Sequence, residues 1–326
     1  MTRDAVLKLL MRHDGYLSGE VMSGQLGVSR CAVFKAVRGL RNEGYNIEAR
    51  TNVGYRLVLS ADLLNRRELV RHLGKMRAPV YFYESAESTN TLAKLLGERG
   101  APHGTLVTAA RQTAGRGRLG RAFFSDSPGG VWMTTILRPD IPVQDAALLT
   151  VLAAVAVVRV LKVKCNLLAG IKWTNDILID GKKLCGILTE MTSEAETGRV
   201  QQVALGIGLN ANQKKEDFPQ ELTDVATSLY IVSGRKFERA ALIAAIYREV
   251  LSLFDTGALT VGRPALLSEY REYLVGLRKE ISVRQARRQF KATALGIDDR
   301  ARLLVRLADG STKALESGEI SILLGD

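Results

Sequence analysis

The sequence predicts an α+β protein built in three successive segments, and three observations carry that reading. Helix signals fill residues 1–60, apolar runs alternate irregularly with helices from 61 to 273, and short β-type runs occupy 274–326. In the middle segment most strand-like runs are joined by turns rather than crossover helices, which favours an α+β sheet over a doubly wound one. A chain of 326 residues that is 46% hydrophobic can bury a full core across two or three domains.

Residues 4–13 place Val6, Leu7, Leu9 and Leu10 on an amphipathic helix, and a second helix starts at Ser18 and stops at Gly27. Ser29 is a good N-cap for a third helix over 30–43, closed by Gly44. Val33, Ala36, Val37 and Leu40 give it a stripe at i, i+3, i+4, i+7, while Lys35, Arg38 and Arg41 fall on another face. Runs over 45–49 and 55–59 flank a turn at 51–54 and form a two-stranded wing. Short helix, turn, capped basic helix and wing make a winged helix-turn-helix, whose third helix enters the DNA major groove. Ser29, Arg30, Ala32 and Val33 or Phe34 would face base edges, Lys35 and Arg38 phosphates, and Arg50 and Arg56 the backbone from the wing. A basic helix face alone is often just solvated; cap, turn and wing together favour DNA binding.

Strand-like runs follow at 105–110, 131–137, 170–173, 177–179, 184–191 and 203–209, with helices at 89–96, 144–161 and 238–256. The most apolar segment, 146–161, only reaches the lower limit of a membrane helix and contains Arg159. Leu148, Val151, Leu152, Val155 and Val158 recur in it at helical spacing, so a helix buried against a sheet is expected and no membrane partner. The last segment shows β-type runs at 280–284, 290–296, 303–307, 312–315 and 319–323, with a hairpin signal at Asp309-Gly310, and predicts a small SH3-like β-barrel.

Lys+Arg minus Asp+Glu is 46 − 34 = +12 and the pI is about 9.7, a balance that favours nucleic acid or phosphorylated ligands. Cys31, Cys165 and Cys185 are odd in number and lack CxxC pairing, so neither disulfides nor a zinc site is expected and a reducing cytoplasm fits. Residues 1–10 carry Arg3, Asp4 and Lys8 rather than a signal peptide's apolar core.

The stretch Gly115-Arg116-Gly117-Arg118-Leu119-Gly120-Arg121 concentrates three guanidiniums in a glycine-rich loop, which asks for an anionic ligand and is expected to order when that ligand arrives. It satisfies G-x-G-x-x-G, but a dinucleotide fold requires a helix next, whereas 123–130 is turn-rich and 131–137 reads as a strand. No Lys-Ser or Lys-Thr follows, which excludes a Walker loop.

That loop belongs to a set of stations: Glu87-Ser88-Thr89-Asn90, Gln112 to Arg118, Lys172-Trp173-Thr174-Asn175-Asp176, Lys183-Leu184-Cys185-Gly186-Ile187-Leu188 and Gly206-Ile207-Gly208-Leu209-Asn210. Together they resemble a biotin protein ligase over essentially the whole chain. With the winged-helix start, the chain is similar to the bacterial bifunctional biotin ligase–repressors. The resemblance implies that biotin and ATP, with Mg2+, form biotinyl-5′-AMP and pyrophosphate, and that biotin passes to a lysine of a carboxyl carrier protein. It also implies a cytoplasmic homodimer, favoured by bound adenylate, on operator DNA.

By the same resemblance Ser88, Thr89, Asn90 and Gln112 meet the biotin head group, and Arg116, Gly117 and Arg118 wrap its tail and the adenylate phosphate. Lys183 neutralises the reacting carboxylate and phosphate, and Asp176 orients Mg2+ and nucleotide. Arg121, Phe123, Lys172, Asn175 and Asn210 serve the nucleotide, and Gly186, Gly206 and Gly208 allow close ligand approach. Each has a plainer reading: Ser88 and Thr89 as helix caps, Gln112 as a solvated strand end, the glycines as strand crossings. Lys182, adjacent to Lys183 on a strand, should face solvent. The first step is attack by a carboxylate already charged, so catalysis is positioning and charge neutralisation. The scattered His13, His72 and His103 agree with that. The chain departs from the family at Thr174, where proline is common, and at Phe123, where tryptophan is. Competing readings are a lipoate-type ligase, a ligase whose first segment does not bind DNA, and a non-enzymatic small-molecule sensor.

Overall fold

The computed structural model describes residues 2–58, 62–76, 78–285 and 288–322. The chain forms two compact units, Met1–Glu68 and Leu69–Asp326.

In the first unit α1 (Thr2–Met11), α2 (Gly19–Leu26) and α3 (Arg30–Asn42) precede a hairpin of β1 (Ile47–Arg50) and β2 (Gly54–Leu57). The capping signals act as read. Ser18 Oγ accepts from Val21 N, Gly27 turns left-handed at φ 63°, and Ser29 Oγ accepts from Ala32 N at 3.1 Å. Val33, Ala36, Val37 and Leu40 of α3 are buried against Val6, Leu7, Leu10 and Met22. This leaves Phe34, Lys35 and Arg38 on the exposed face. The unit ends at Glu68, 68 − 60 = 8 residues beyond the expected segment. The extension is anchored by Asn65, whose Nδ2 donates to Glu43 O at 2.8 Å, and by Arg67, which pairs with Glu43 at 2.7 Å. The border falls inside α4 (Arg66–Leu73). The end of the expected wing, Leu59, lies outside the described residues.

The second unit is built on seven strands: β3 (Val80–Tyr83), β4 (Leu106–Ala109), β5 (Val131–Leu137), β6 (Gly170–Lys172), β7 (Asp176–Ile179), β8 (Lys182–Glu194) and β9 (Arg199–Leu209). Their order is β3-β4-β5-β9-β8-β7-β6, parallel between β3 and β4 and antiparallel elsewhere, as the turn-joined runs predict. The helices are α5 (Thr89–Glu98), α6 (Ala147–Val160), α7 (Leu229–Ser233), α8 (Arg239–Asp255) and α9 (Arg263–Tyr273). With its flanking turns the stretch Val143–Cys165 is long and apolar enough to span a membrane, yet α6 is a core helix. Leu148, Val151, Leu152 and Val155 are fully buried, and the helix packs on β8, β9 and α8. Arg159 near its end is held by Glu249 at 2.8 Å and Glu269 at 2.5 Å.

The C-terminal strands β10 (Glu280–Gln285), β11 (Arg288–Ile297), β12 (Leu303–Arg306), β13 (Thr312–Leu315) and β14 (Glu319–Ile322) form an antiparallel sheet in the order β13-β12-β11-β10-β14. Hydrogen bonds tie it to the rest of the second unit. Val275 N donates to Ile171 O at 2.9 Å, and Trp173 Nε1 donates to Ala301 O at 2.9 Å. Tertiary bonding, not sequence texture, decides where compact units end.

Candidate active site

One face of β5, β9 and β8 floors a cavity of ≈ 350 Å³, walled by the start of α5, the 115–123 loop, residues 172–176 and β14. Ser88, Thr89, Asn90, Gln112, Arg116, Gly117, Arg118, Arg121, Phe123, Lys172, Asn175, Asp176 and Lys183 all lie on its wall, as predicted from the sequence. Asn210 does not. It is buried, its Nδ2 donates to Thr227 O at 2.9 Å, and its Oδ1 accepts from Gln213, so its amide ties down the 227–228 segment.

The first station is a closed polar network. Ser88 caps α5, its Oγ facing Thr91 N at 3.5 Å. The N–H and hydroxyl of Thr89 both donate to Gln112 Oε1, at 2.7 and 3.0 Å. This leaves the Gln112 Nε2 donor for a ligand. Thr134 Oγ1 lies 2.8 Å from Thr89 Oγ1 and 2.7 Å from Asn90 Oδ1, one proton serving two acceptors. Asn90 Nδ2 donates to Leu188 O at 3.2 Å and to Glu190 Oε2 at 3.0 Å, which fixes its amide orientation. Burial pushes Glu190 up, but hydrogen bonds from Lys94 and Asn90 and the Arg116 charge outweigh it and hold the carboxyl below its usual range.

Gly186, Gly206 and Gly208 all line the cavity, and each also leaves room for a neighbouring side chain. A Cβ on Gly206 would lie 2.0 Å from Asn90 Oδ1, and Cβ atoms on Gly186 and Gly208 would lie 2.9 and 2.8 Å from the Phe123 ring. Within the protein they permit the close approach of Asn90 and Phe123. Gly206 pairs with Thr134 and Leu188, Gly208 with Trp132 and Gly186. The two stations thus sit two residues apart along β9, about 7 Å at the usual strand rise.

The second station contains Lys183. Asp180 and Gly181, with φ of 50° and 75°, make the tight turn that brings β8 back on β7. Lys183 Nζ then pairs with Asp176 at 2.7 Å and lies 5.6 Å from the centre of the Phe123 ring. Lys182 is not solvated as expected: its Nζ donates to Thr223 O at 3.1 Å. The 222–227 segment covers that edge of the hairpin, where Lys183 N donates to Val225 O and Thr227 N to Lys183 O.

Arg118 joins the loop to the 172–176 segment, its Nη1 donating to Thr174 Oγ1 and Asn175 Oδ1, both at 3.0 Å. Asn175 Nδ2 donates in turn to Ile187 O at 3.0 Å, so this amide also positions Arg118. The Trp173–Thr174 peptide bond is cis. The arginine loop closes on itself through Gly117 N to Arg121 O and Phe123 N to Gly115 O, each 2.8 Å. Cys185 lies beneath the site, fully buried; burial drives its thiol far above the usual range, which removes it as a nucleophile.

Sequence reasoning passed over three contributors. Thr134 is fully buried, and the Thr134-Thr135 pair inside an apolar run was the signal available in the sequence. Tyr270, whose hydroxyl donates to Thr174 O at 2.9 Å, belongs to α9, readable from Leu266, Leu267 and Tyr270. Ser321 of β14 reaches the wall from a distant segment, with no local signal.

On the first unit, Arg30, Lys35 and Arg38 are exposed on α3 without ion-pair partners among the described residues. Ser29 spends its side chain on the cap. Arg56 pairs with Glu48 at 2.7 Å, with Tyr16 OH on the same carboxylate, so its expected contact with a DNA backbone competes with an internal one.

Comparison with known proteins matches residues 82–210 to the biotin/lipoate A/B protein ligase family, 2–56 to an HTH domain and 278–323 to the biotin protein ligase C-terminal domain. The bifunctional ligase/repressor BirA of Bacillus subtilis is 41% identical over 99% of this chain and 98% of the relative. The chain belongs to the biotin protein ligase family, in its bifunctional ligase/repressor branch. The ligase is also similar to BirA of Escherichia coli, at 27% identity over 96% of this chain and 95% of that one. A solved biotin protein ligase from Aquifex aeolicus, in complex with biotin and ATP, shares the fold with a TM-score of 0.63 at 24% identity. That alignment covers 76% of this ligase and 99% of the solved chain.

Proposed function

We propose that this ligase joins biotin to ATP as biotinyl-5′-AMP, passes biotin to a lysine of a carboxyl carrier protein, and represses transcription through its winged helix. The observation that carries the reading is the pairing of a fixed polar network, Thr89–Gln112–Asn90–Thr134, with the Lys183–Asp176 pair on one cavity wall. Gln112 Nε2 and the hydroxyls suit a ureido ring, which both donates and accepts; a lipoyl dithiolane would leave these groups unpaired, at a cost of about 1–3 kcal/mol each. Binding of biotin but not lipoate in titration calorimetry separates the two ligands.

In the first half-reaction a biotin carboxylate oxygen attacks the α-phosphorus. The new O–P bond forms, the α–β bridging P–O bond breaks, and pyrophosphate leaves with both electrons; no proton moves. What the chain supplies is positive charge: Lys183, Arg116, Arg118 and Arg121 on the wall. Asp176, the one carboxylate on the described wall, would be the residue to hold Mg2+, which would neutralise phosphate charge beside Lys183. In the second half-reaction a neutral lysine amine attacks the acyl carbon, the acyl C–O bond to AMP breaks with its electrons leaving on AMP, and the amine proton passes to solvent.

Arg30, Lys35 and Arg38 are the groups for operator DNA, with adenylate-dependent homodimerisation aligning two such helices, in the cytoplasm. The deciding experiment is biotin-dependent ATP–pyrophosphate exchange by wild type and Lys183→Ala. Exchange is expected in the wild type and a fall of about 100- to 1000-fold in the variant. A wild type without exchange overturns the ligase reading; an unimpaired variant overturns the role of Lys183.

A further inference from the structure

Thr174 does not line the cavity, although Trp173, Asn175 and Asp176 beside it do. It lies in the turn between β6 and β7, whose ends pair through Lys172 and Asp176. That turn is pinned on every side. Trp173 Nε1 donates to Ala301 O, the hydroxyl of the fully buried Tyr270 donates to Thr174 O, and Ile187 N donates to Asn175 O, each at 2.9 Å. What the fixed turn presents to the arginine loop is the Thr174 hydroxyl, whose Oγ1 accepts from Arg118 Nη1 at 3.0 Å.

This bond holds a cation without neutralising it. Asp176, the one carboxylate on the described wall, is taken by Lys183 at 2.7 Å, so Lys183 must leave an ion pair before it reaches a phosphate. Among the described residues Arg118 has only the neutral oxygens of Thr174 and Asn175, both on Nη1. Its charge is undiminished. Its Nε–Nη2 edge, the pair of parallel donors that can meet two oxygens of one phosphate, is uncommitted. Untethered, an arginine on a glycine-rich loop would spread over many rotamers. We propose that Thr174 is a positioning residue for adenylate formation: its hydroxyl holds Arg118 by Nη1, so that the free edge and the full charge are in place before the α-phosphate arrives. This rests on the ligase reading and deepens it. The reacting phosphate then meets an arginine already oriented, and the ordering is done once, at folding, rather than at each turnover.

The test is the steady-state rate of biotin-dependent ATP–pyrophosphate exchange in wild type, Thr174→Val, Thr174→Ala and Thr174→Ser, with biotin affinity measured by calorimetry and folding by thermal denaturation. Valine keeps the shape of threonine and loses the acceptor, alanine loses it without adding bulk, and serine keeps it. Turnover should fall about tenfold in Thr174→Val and Thr174→Ala, the loss of one hydrogen bond to a charged group. Biotin affinity should be unchanged, because the Thr89–Gln112–Asn90–Thr134 network is untouched. Thr174→Ser should recover most of the rate. In an Arg118→Ala background Thr174→Val should add no further loss, since Thr174 acts only through that guanidinium. A wild type lacking exchange overturns the ligase reading and this inference together. Normal wild-type exchange with unaltered turnover in Thr174→Val and Thr174→Ala overturns the inference alone. So does a loss that adds to that of Arg118→Ala, or one matched by an equal loss of biotin affinity or by a lowered thermal midpoint that serine does not restore.

Discussion

Gly206→Ala tests whether the polar network, rather than the pocket's shape, holds biotin. The added Cβ would lie 2.0 Å from Asn90 Oδ1, where ordinary contact begins near 3.4 Å. The amide must therefore retreat by 3.4 − 2.0 = 1.4 Å, more than any hydrogen bond at that site tolerates. Three are at stake: Asn90 Nδ2 to Leu188 O, Asn90 Nδ2 to Glu190 Oε2, and Thr134 Oγ1 to Asn90 Oδ1. At about 1 kcal/mol net each the loss is about 3 kcal/mol, shared between folding and ligand binding. Calorimetric titration with biotin should show affinity weakened by about tenfold or more, with a lowered thermal midpoint. Asn90→Ala removes the atom the new methyl strikes, so the double variant should be no worse than Asn90→Ala alone, a large coupling in a double-mutant cycle. Additive effects, or wild-type biotin affinity in Gly206→Ala, would refute the reasoning.

Three further outcomes follow from other parts of the molecule. Arg118→Gly cuts the link to Thr174 and Asn175, and adenylate-dependent dimerisation should be lost in sedimentation; normal dimerisation counts against the coupling. Lys35→Ala and Arg38→Ala should each weaken operator binding and flatten its salt dependence by about one unit of slope; an unchanged slope removes them from the phosphate contacts. Burial lowers the pKa of His103 below 6.5, and its Nδ1 accepts from Arg138 N at 3.2 Å. The unfolded chain therefore takes up the proton first, so stability is full above pH 6.5 and falls as pH drops below it, levelling once the folded pKa is passed. The thermal midpoint should fall between about pH 7 and about pH 5, and less so in His103→Gln; equal curves would refute the assignment.

What the sequence disclosed, and what it hid, divides by the range of the forces. Caps act within three residues, so Ser18, Ser29 and Ser88 were legible at their helix starts. Val131–Leu137 and the C-terminal strands were legible from apolar runs and turns. β3 was not, because Val80 to Tyr83 are all half-buried and show no alternation. The wall residues were recognisable as a set, but their duties depend on partners far along the chain. Asn175, expected at the nucleotide, also braces Arg118, and Asn210, expected beside it, lies off the wall and anchors a loop. The glycines expected to admit a ligand do line the cavity, but they also make room for Phe123 and Asn90. Nothing local in the sequence reports which of two neighbours a missing side chain accommodates.

The bond from Trp173 to Ala301 has an evolutionary consequence. The first unit is compact by itself, so recombination at its border should exchange one regulator for another and leave the reaction intact. The C-terminal sheet cannot be traded so freely. A foreign sheet would have to offer a carbonyl to the Trp173 indole, a partner strand to Ile171 and a serine at the place of Ser321. Chimaeras joined at the first border should be viable far more often than those joined near residue 274, and lineages should inherit the last two segments as one piece.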